Sequence, residues 1–222
     1  MTAPNLPAPS APRLVVMDVD STLIKQEVIE LIAQHAGTAQ QVAEITERAM
    51  RGELDFSASL GERVATLKGV TTQQLDTVRS DIEFSDGAVE FITACHARGW
   101  EVALVSGGFV EIVSELAREV GITRFQANEL EIDNGTLTGR TTGRIVDRAY
   151  KAEVLRKYAQ ELNIPLAHTI ALGDGANDLE MIAAAGIGIA FNAKPIVVEQ
   201  APYAITGSMM HAFDIIDSAS VK

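Results

Sequence analysis

Leu14-Val15-Val16-Met17-Asp18-Val19-Asp20-Ser21-Thr22-Leu23 decides how the rest of the chain is read. Its apolar opening, Leu14 to Met17, predicts a buried strand. Two carboxylates then stand two residues apart. In extended chain, residues i and i+2 point to the same face, so Asp18 and Asp20 emerge together as the strand becomes a loop. In open α/β sheets that strand end is where ligands bind. Hydrophobic folding alone gives no reason to crowd two acids there. A bound cation, or a division of labour in acid–base chemistry, gives one.

Beyond the strand the apolar spacing turns helical. Val28, Ile29, Leu31, Ile32 and Ala36 share a face, and Gly37 is a stop. Val42, Ile45 and Ala49 predict a second helix ending near Gly52, and Leu54, Ala58, Val64 and Leu67 keep the rhythm up to Gly69. Thr71-Thr72 caps one more helix ending near Asp81. A simple βαβ crossover needs only one helix, so residues 25–83 read as a helical insertion able to cover the paired acids. A helix starting at Ser85-Asp86 follows, then a short strand, Val102 to Val105, ended by a Ser106-Gly107-Gly108 turn. Val110 to Val120 is helical, Asp133-Asn134-Gly135 marks a hairpin within 130–138, and 149–162 is helical. Thr169 to Leu172 is a strand ending at Gly173-Asp174-Gly175; a helix through Leu179, Ile182 and Ala183 and strands at 187–190 and 203–206 complete the chain. This alternation predicts an α/β fold with a mostly parallel, layered sheet. The expected organisation is a leader at 1–12, a core of 13–24 and 84–222, and a helical cap at 25–83.

A hydrophobic content of 47% against 22% charged residues makes the chain globular rather than disordered. Its net charge of −12 argues against a nucleic-acid partner, which would call for a basic footprint. The lone Cys95 has no internal disulfide partner, which points to a reducing, cytoplasmic compartment, and it reads as a packed helix residue. No apolar run approaches the ~18 residues of a membrane span, so no membrane partner is expected. Residues 1–12, rich in Ala and Pro, read as a flexible leader and not a signal peptide.

Three strands end in polar, glycine-containing turns, which a parallel sheet brings to one edge. Asp18 is suited to attack phosphorus and form an aspartyl-phosphate, and Asp20 to protonate the leaving oxygen and then activate water. Phosphate and Asp18 repel unless a cation lies between them. Hard Mg²⁺ takes oxygen ligands; Asp18 and Asp174 offer carboxylates, and Asp20 its backbone carbonyl. Asp178 either holds a metal-bound water or orients its neighbours. Ser106 and the Gly107 amide can donate to phosphoryl oxygens at the start of a helix. Lys151 opens a helix, where a cation opposes the dipole, and this implies a pairing with phosphate and carboxylate. No Gly-x-Ser-x-Gly elbow, complete dinucleotide fingerprint or Walker lysine motif is present, and Trp100 reads as packing.

In order, Asp18-Val19-Asp20-Ser21-Thr22, Ser106-Gly107-Gly108, Lys151 and Gly173-Asp174-Gly175-Ala176-Asn177-Asp178 resemble the four motifs of the haloacid-dehalogenase-like hydrolases. Within that superfamily the chain, from about Arg13 onward, is similar to the phosphoserine phosphatases. The resemblance implies a Rossmann-like three-layer core with a helical cap, Mg²⁺ dependence, and release of L-serine from O-phospho-L-serine as the last step of serine biosynthesis. It makes Asp18 the nucleophile and Asp20 the acid/base, with Asp18, Asp20 and Asp174 on the metal. Ser106, Gly107, Lys151 and Asn177 would contact the phosphate or its surroundings. Glu27 matches the ligand of the substrate's amino group, Arg63 that of its carboxylate, and Met50 and Phe56 apolar positions closing over it. Only a short leader precedes the core, so feedback control through a preceding regulatory domain is not expected. Related activities are a phosphatase of phosphohomoserine or another small phosphomonoester, and a phosphotransferase. A non-enzymatic phospho-accepting receiver is disfavoured by the second aspartate and by the size of the insertion.

Overall fold

The computed structural model describes residues 13–219; the leader expected at 1–12 lies outside them. Seven strands form one sheet: β1 (Leu14–Met17), β2 (Glu101–Phe109), β3 (Arg124–Asp133), β4 (Thr136–Thr142), β5 (Thr169–Gly173), β6 (Ile187–Phe191) and β7 (Tyr203–Ile205). Their order is β4-β3-β2-β1-β5-β6-β7, and every neighbouring pair is parallel except β3 and β4. The chain builds outward from β1 on one side and returns to build from β5 on the other. The switch point therefore falls between β1 and β5, and the crevice beyond their carboxyl ends is the place for a ligand.

Ten α-helices accompany the sheet among the described residues. Four, α1 (Val28–Ala36), α2 (Ala39–Met50), α3 (Phe56–Ala65) and α4 (Thr72–Ser80), lie between β1 and α5 (Ala88–Ala97). The others are α6 (Val110–Glu119), α7 (Arg148–Glu161), α8 (Leu179–Ala184), α9 (Pro195–Gln200) and α10 (Ala212–Ala219). The strand period of two assigns β1 to both sides of the sheet. Val15 and Met17 face a cluster with Phe91, Ile112, Leu116 and Ile216, whereas Leu14 and Val16 face Val154, Leu155 and Ile182. Val28, Ile32, Leu60 and Val78 of α1–α4 join the first cluster.

Local signals explain most boundaries. Gly37 ends α1 in the left-handed region, and Thr71 forms a capping box with Gln74. Asn134 and Gly135 both have positive φ, the backbone a two-residue hairpin turn requires. The segment holding α1–α4 enters and leaves side by side: Ile24 bridges Phe84, and the Lys25 amide donates to Glu83 and that of Ser85 to Leu23, both at 2.9 Å. Cys95 is buried, and burial pushes its thiol up to about 12, so it is inert packing. Trp100 packs 6.1 Å from Phe213. Among the described residues no helix is long and apolar enough to cross a membrane.

Three readings are corrected. The strand read as ending at Val105 continues through Ser106-Gly107-Gly108 to buried Phe109, because β3 runs alongside and pairs again at Asn128 after a register shift. The helix read from Ser85-Asp86 begins at Ala88: the Ser85 amide is taken by Leu23, and Gly87 turns the chain at positive φ. Two helices, α9 and α10, were not foreseen, although Pro195 at the first helical position and the Ala212, Phe213, Ile216 spacing mark them.

Gly188 in β6 lies against the backbone of α8, and a Cβ there would meet the carbonyl of Ile182. Gly188→Ala should cost about 1–3 kcal/mol as an overpacking defect. Urea unfolding should show a lower midpoint at unchanged slope.

Candidate active site

β1 gives way to the site within two residues. The Asp18 amide donates to Leu172 of β5 at 3.0 Å, and the chain then closes a tight turn in which the Ile24 amide returns to Val19 at 3.0 Å. Ser21 holds this turn at φ 54, a conformation uncommon for a residue with a side chain. The Asp18 carboxylate accepts from the Val19 amide at 2.7 Å, and Asp20 accepts from Val28, the first residue of α1, at 3.3 Å. Thr22 donates to Asp174, just beyond β5, at 3.1 Å. The expected convergence of Asp18, Asp20 and Asp174 is thus present, and all three line one cavity.

Behind them lies Lys151, 0% exposed, with its ammonium 2.8 Å from Asp18 and 2.7 Å from Asp178. Burial alone would lower this ammonium's pKa, but Asp178 and Asp18 more than reverse that and raise it. The cation at the head of α7 is therefore held by two acids of other elements. Asp178 also accepts from the Gly175 amide at 3.0 Å, so both its oxygens are engaged in orienting neighbours. Gly173 is needed here because a Cβ would overlap the Asp178 side chain.

Lys151 pairs with Asp18 and Asp178 and pulls on Asp20, while the cation that acts on Asp174 is Lys194. Burial, then Asp178, holds Asp18 well above the usual carboxylate range, against the pull of Lys151. Burial, then Glu27, raises Asp20 to about 8, and burial, then Asp178, raises Asp174 to about 6. Such a cluster is short of positive charge. Oxygens of Asp18, Asp174 and Asp178 lie within 4.8 Å of one another, and this hard, all-oxygen donor set fits a metal ion. The side-chain group contains Asp178 in place of Asp20, which was expected to contribute its carbonyl.

The cavity measures about 760 Å³ and is also lined by Glu27, Met50, Phe56, Arg63, Gly107 and Asn177. Glu27 accepts from the Ser21 hydroxyl at 2.8 Å. Burial lowers the Arg63 guanidinium pKa, while Glu27, Glu30 and Asp20 hold it charged. Met50 is 81% exposed at the rim, and a Cβ on Gly107 would touch the Phe56 ring at 3.4 Å, so glycine lets the ring approach. Ser106, Lys151 and Asp178 do not line the cavity; they stand behind it, and the Ser106 hydroxyl accepts from the Gly108 amide at 2.8 Å. Sequence reasoning missed Glu30 and Lys194 on the lining, and buried Asn128, which donates to the Gly107 carbonyl and accepts from the Val146 amide, both at 2.8 Å. Asn128 gave no local signal, since its partners lie in other elements. Lys194 precedes the proline that starts α9, and its amide donates to the Asp174 carbonyl at 3.2 Å.

A phosphoserine phosphatase of Streptococcus thermophilus is 56% identical over 193 residues, covering 87% of this chain and 90% of that one. A solved structure described as a phospho-aspartyl intermediate analogue of phosphoserine phosphatase superposes with a TM-score of 0.86 at 38% identity, covering 93% of this chain and 99% of the other. A substrate-bound phosphoserine phosphatase complex gives 0.87 at 37% identity, with the same coverage. Residues 15–183, from β1 into α8, match the haloacid dehalogenase-like hydrolase family. That match takes in all the carboxylates described above, and the chain belongs to the haloacid dehalogenase-like hydrolases.

Proposed function

We propose that the chain hydrolyses O-phospho-L-serine to L-serine and phosphate through an aspartyl-phosphate on Asp18, in the cytoplasm, as the last step of serine biosynthesis. One observation carries the reading: a single cavity has paired acids backed by a buried lysine at its floor and an acid–guanidinium pair, Glu27 and Arg63, on its lining. A phosphomonoester that also bears an ammonium and a carboxylate needs both parts. The names of the relatives above support the same substrate.

In the first half-reaction an Asp18 oxygen bonds to phosphorus while the bond from phosphorus to the serine oxygen breaks. Asp20, whose pKa is raised by burial and then by Glu27, gives its proton to that leaving oxygen. In the second, Asp20 takes a proton from water, the water oxygen bonds to phosphorus, and the bond from phosphorus to the Asp18 oxygen breaks, which restores the carboxylate. Lys151 counters the negative charge of Asp18 throughout. The Gly107 amide and Asn177, both on the cavity lining, donate to phosphoryl oxygens where charge is carried in the transition state, while Ser106, expected to join them, stands behind the wall and holds the Gly108 amide. A divalent cation, Mg²⁺ from the hardness of the donors, would be held by Asp18 and Asp174 together with the Asp20 carbonyl, and would supply charge neutralisation there. Residues 25–83 serve as a cap: Glu27 takes the ammonium, Arg63 grips the carboxylate with its planar fork, and Met50 and Phe56 exclude water.

Phosphate release from phosphoserine, phosphothreonine, phosphohomoserine and sugar phosphates tests the reading; a sugar phosphate as the preferred substrate would overturn it. Asp18→Asn should lower kcat by at least about 10³-fold with an unchanged circular dichroism spectrum. Arg63→Ala should cut kcat/KM for phosphoserine about 10- to 100-fold, as loss of a charged hydrogen bond of roughly 1.5–3 kcal/mol implies, and leave p-nitrophenyl phosphate within about twofold. Chelation should abolish turnover and added Mg²⁺ restore it; full activity in excess chelator would remove the metal from the account.

A further inference from the structure

The β3–β4 hairpin reaches both ends of the proposed substrate site. On the β3 side, Asn128 bonds the Gly107 carbonyl at 2.8 Å, and the Leu130 amide donates to Glu111 in the first turn of α6 at 3.1 Å. These contacts tie the hairpin to β2, which carries the proposed phosphate donor Gly107, and to α6, which follows it directly. On the β4 side, the hairpin bonds the chain between α3 and α4 through three backbone hydrogen bonds. The Gly69 amide donates to Leu137 at 2.9 Å, the Leu137 amide to Val70 at 2.7 Å, and the Thr72 amide to Gly135 at 3.0 Å. Leu67, Val70 and Leu137 are buried beside this seam.

Gly139 makes the contact close. Its φ is +85, and a Cβ there would lie 3.1 Å from the Lys68 Cβ and 3.2 Å from the Ala65 carbonyl oxygen. The β4 backbone therefore rests on the last residue of α3, two positions beyond Arg63. Along α3 the Arg63 Nε donates to the Ser59 carbonyl at 3.3 Å, so a shift of the helix carries the guanidinium with it.

We infer that the β3–β4 hairpin is a spacer that sets the distance between the phosphate end and the carboxylate end of the substrate, with Gly139 as its positioning residue at α3. It makes the site select the chain length of the phosphorylated amino acid, phosphoserine over the phosphohomoserine that is one methylene longer. This rests on the proposed role of Arg63 as the carboxylate ligand. A hairpin displaced by a fraction of an ångström moves Arg63 relative to Gly107 without touching Asp18 or Asp20.

Two variants test it. Gly139→Ala introduces the Cβ. Thr72→Pro deletes only the Thr72–Gly135 bond, because proline is tolerated at the first position of α4 and Thr71 is already extended. Each should raise KM for phosphoserine about tenfold, hold kcat/KM for p-nitrophenyl phosphate within about twofold, and erode the preference for phosphoserine over phosphohomoserine. Equal losses on all three substrates would mark simple destabilisation and overturn the inference, as would an unchanged preference in folded variants. Arg63→Ala serves as the reference. If it shifts selectivity and the hairpin variants do not, the spacer alone fails; if it does not, the role of Arg63 fails and the spacer with it.

Discussion

Asp18, Asp20, Asp174 and Asp178 crowd one end of the sheet with a single buried ammonium, that of Lys151, among the described residues, and that imbalance governs the rest of the molecule. Lys151 pairs directly with Asp18 and Asp178, whereas Asp20 has only its more distant pull and the Val28 amide, and Asp174 has Lys194 and the Thr22 hydroxyl, too little in each case to offset burial. A buried charge without a partner costs several kcal/mol, so such a cluster persists only where further positive charge or protonation relieves it. Both remedies are chemically useful. A raised pKa suits Asp20 to the proposed role of general acid, and the oxygens of Asp18, Asp174 and Asp178 suit a hard cation. The electrostatic liability and the proposed catalytic equipment are the same atoms.

The sheet brings these groups together at low entropic cost. β1 and β5 are adjacent and parallel, so the acids that follow them emerge side by side at the switch point. β2 is adjacent on the other flank and brings Gly107 to the same cavity. The acids come from distant parts of the chain, yet each is placed by a short, rigid strand. The α1–α4 segment, joined to the core by the paired linkers at 24 and 84, contributes Glu27 and Arg63 from above. Rigid strands thus hold the chemistry, while the helices hold the groups suited to recognise the substrate.

The parts of this arrangement that are local in sequence were legible. An apolar run followed by acids at i and i+2, glycine stops after helices, a Thr-x-x-Gln cap and an Asn-Gly turn each encode their own geometry. What could not be read was non-local. Ser106-Gly107-Gly108 looks like a turn and becomes strand because β3 lies beside it, a neighbour no local pattern announces. Asn128 sits in an ordinary strand and matters only for its bonds to Gly107 and Val146. Lys151 showed its anomaly at a helix start, but its two partners are supplied by the tertiary fold.

The central claim is that one of these enclosed acids, and no other group, takes up the phosphoryl group. Rapid acid quenching during turnover of phosphoserine, followed by peptide mapping by mass spectrometry, tests it most directly. The account predicts a transient phosphoryl adduct on Asp18 alone, formed and lost at rates consistent with turnover. An adduct on another residue, or water oxygen entering phosphate in one step with inversion at phosphorus, would contradict it.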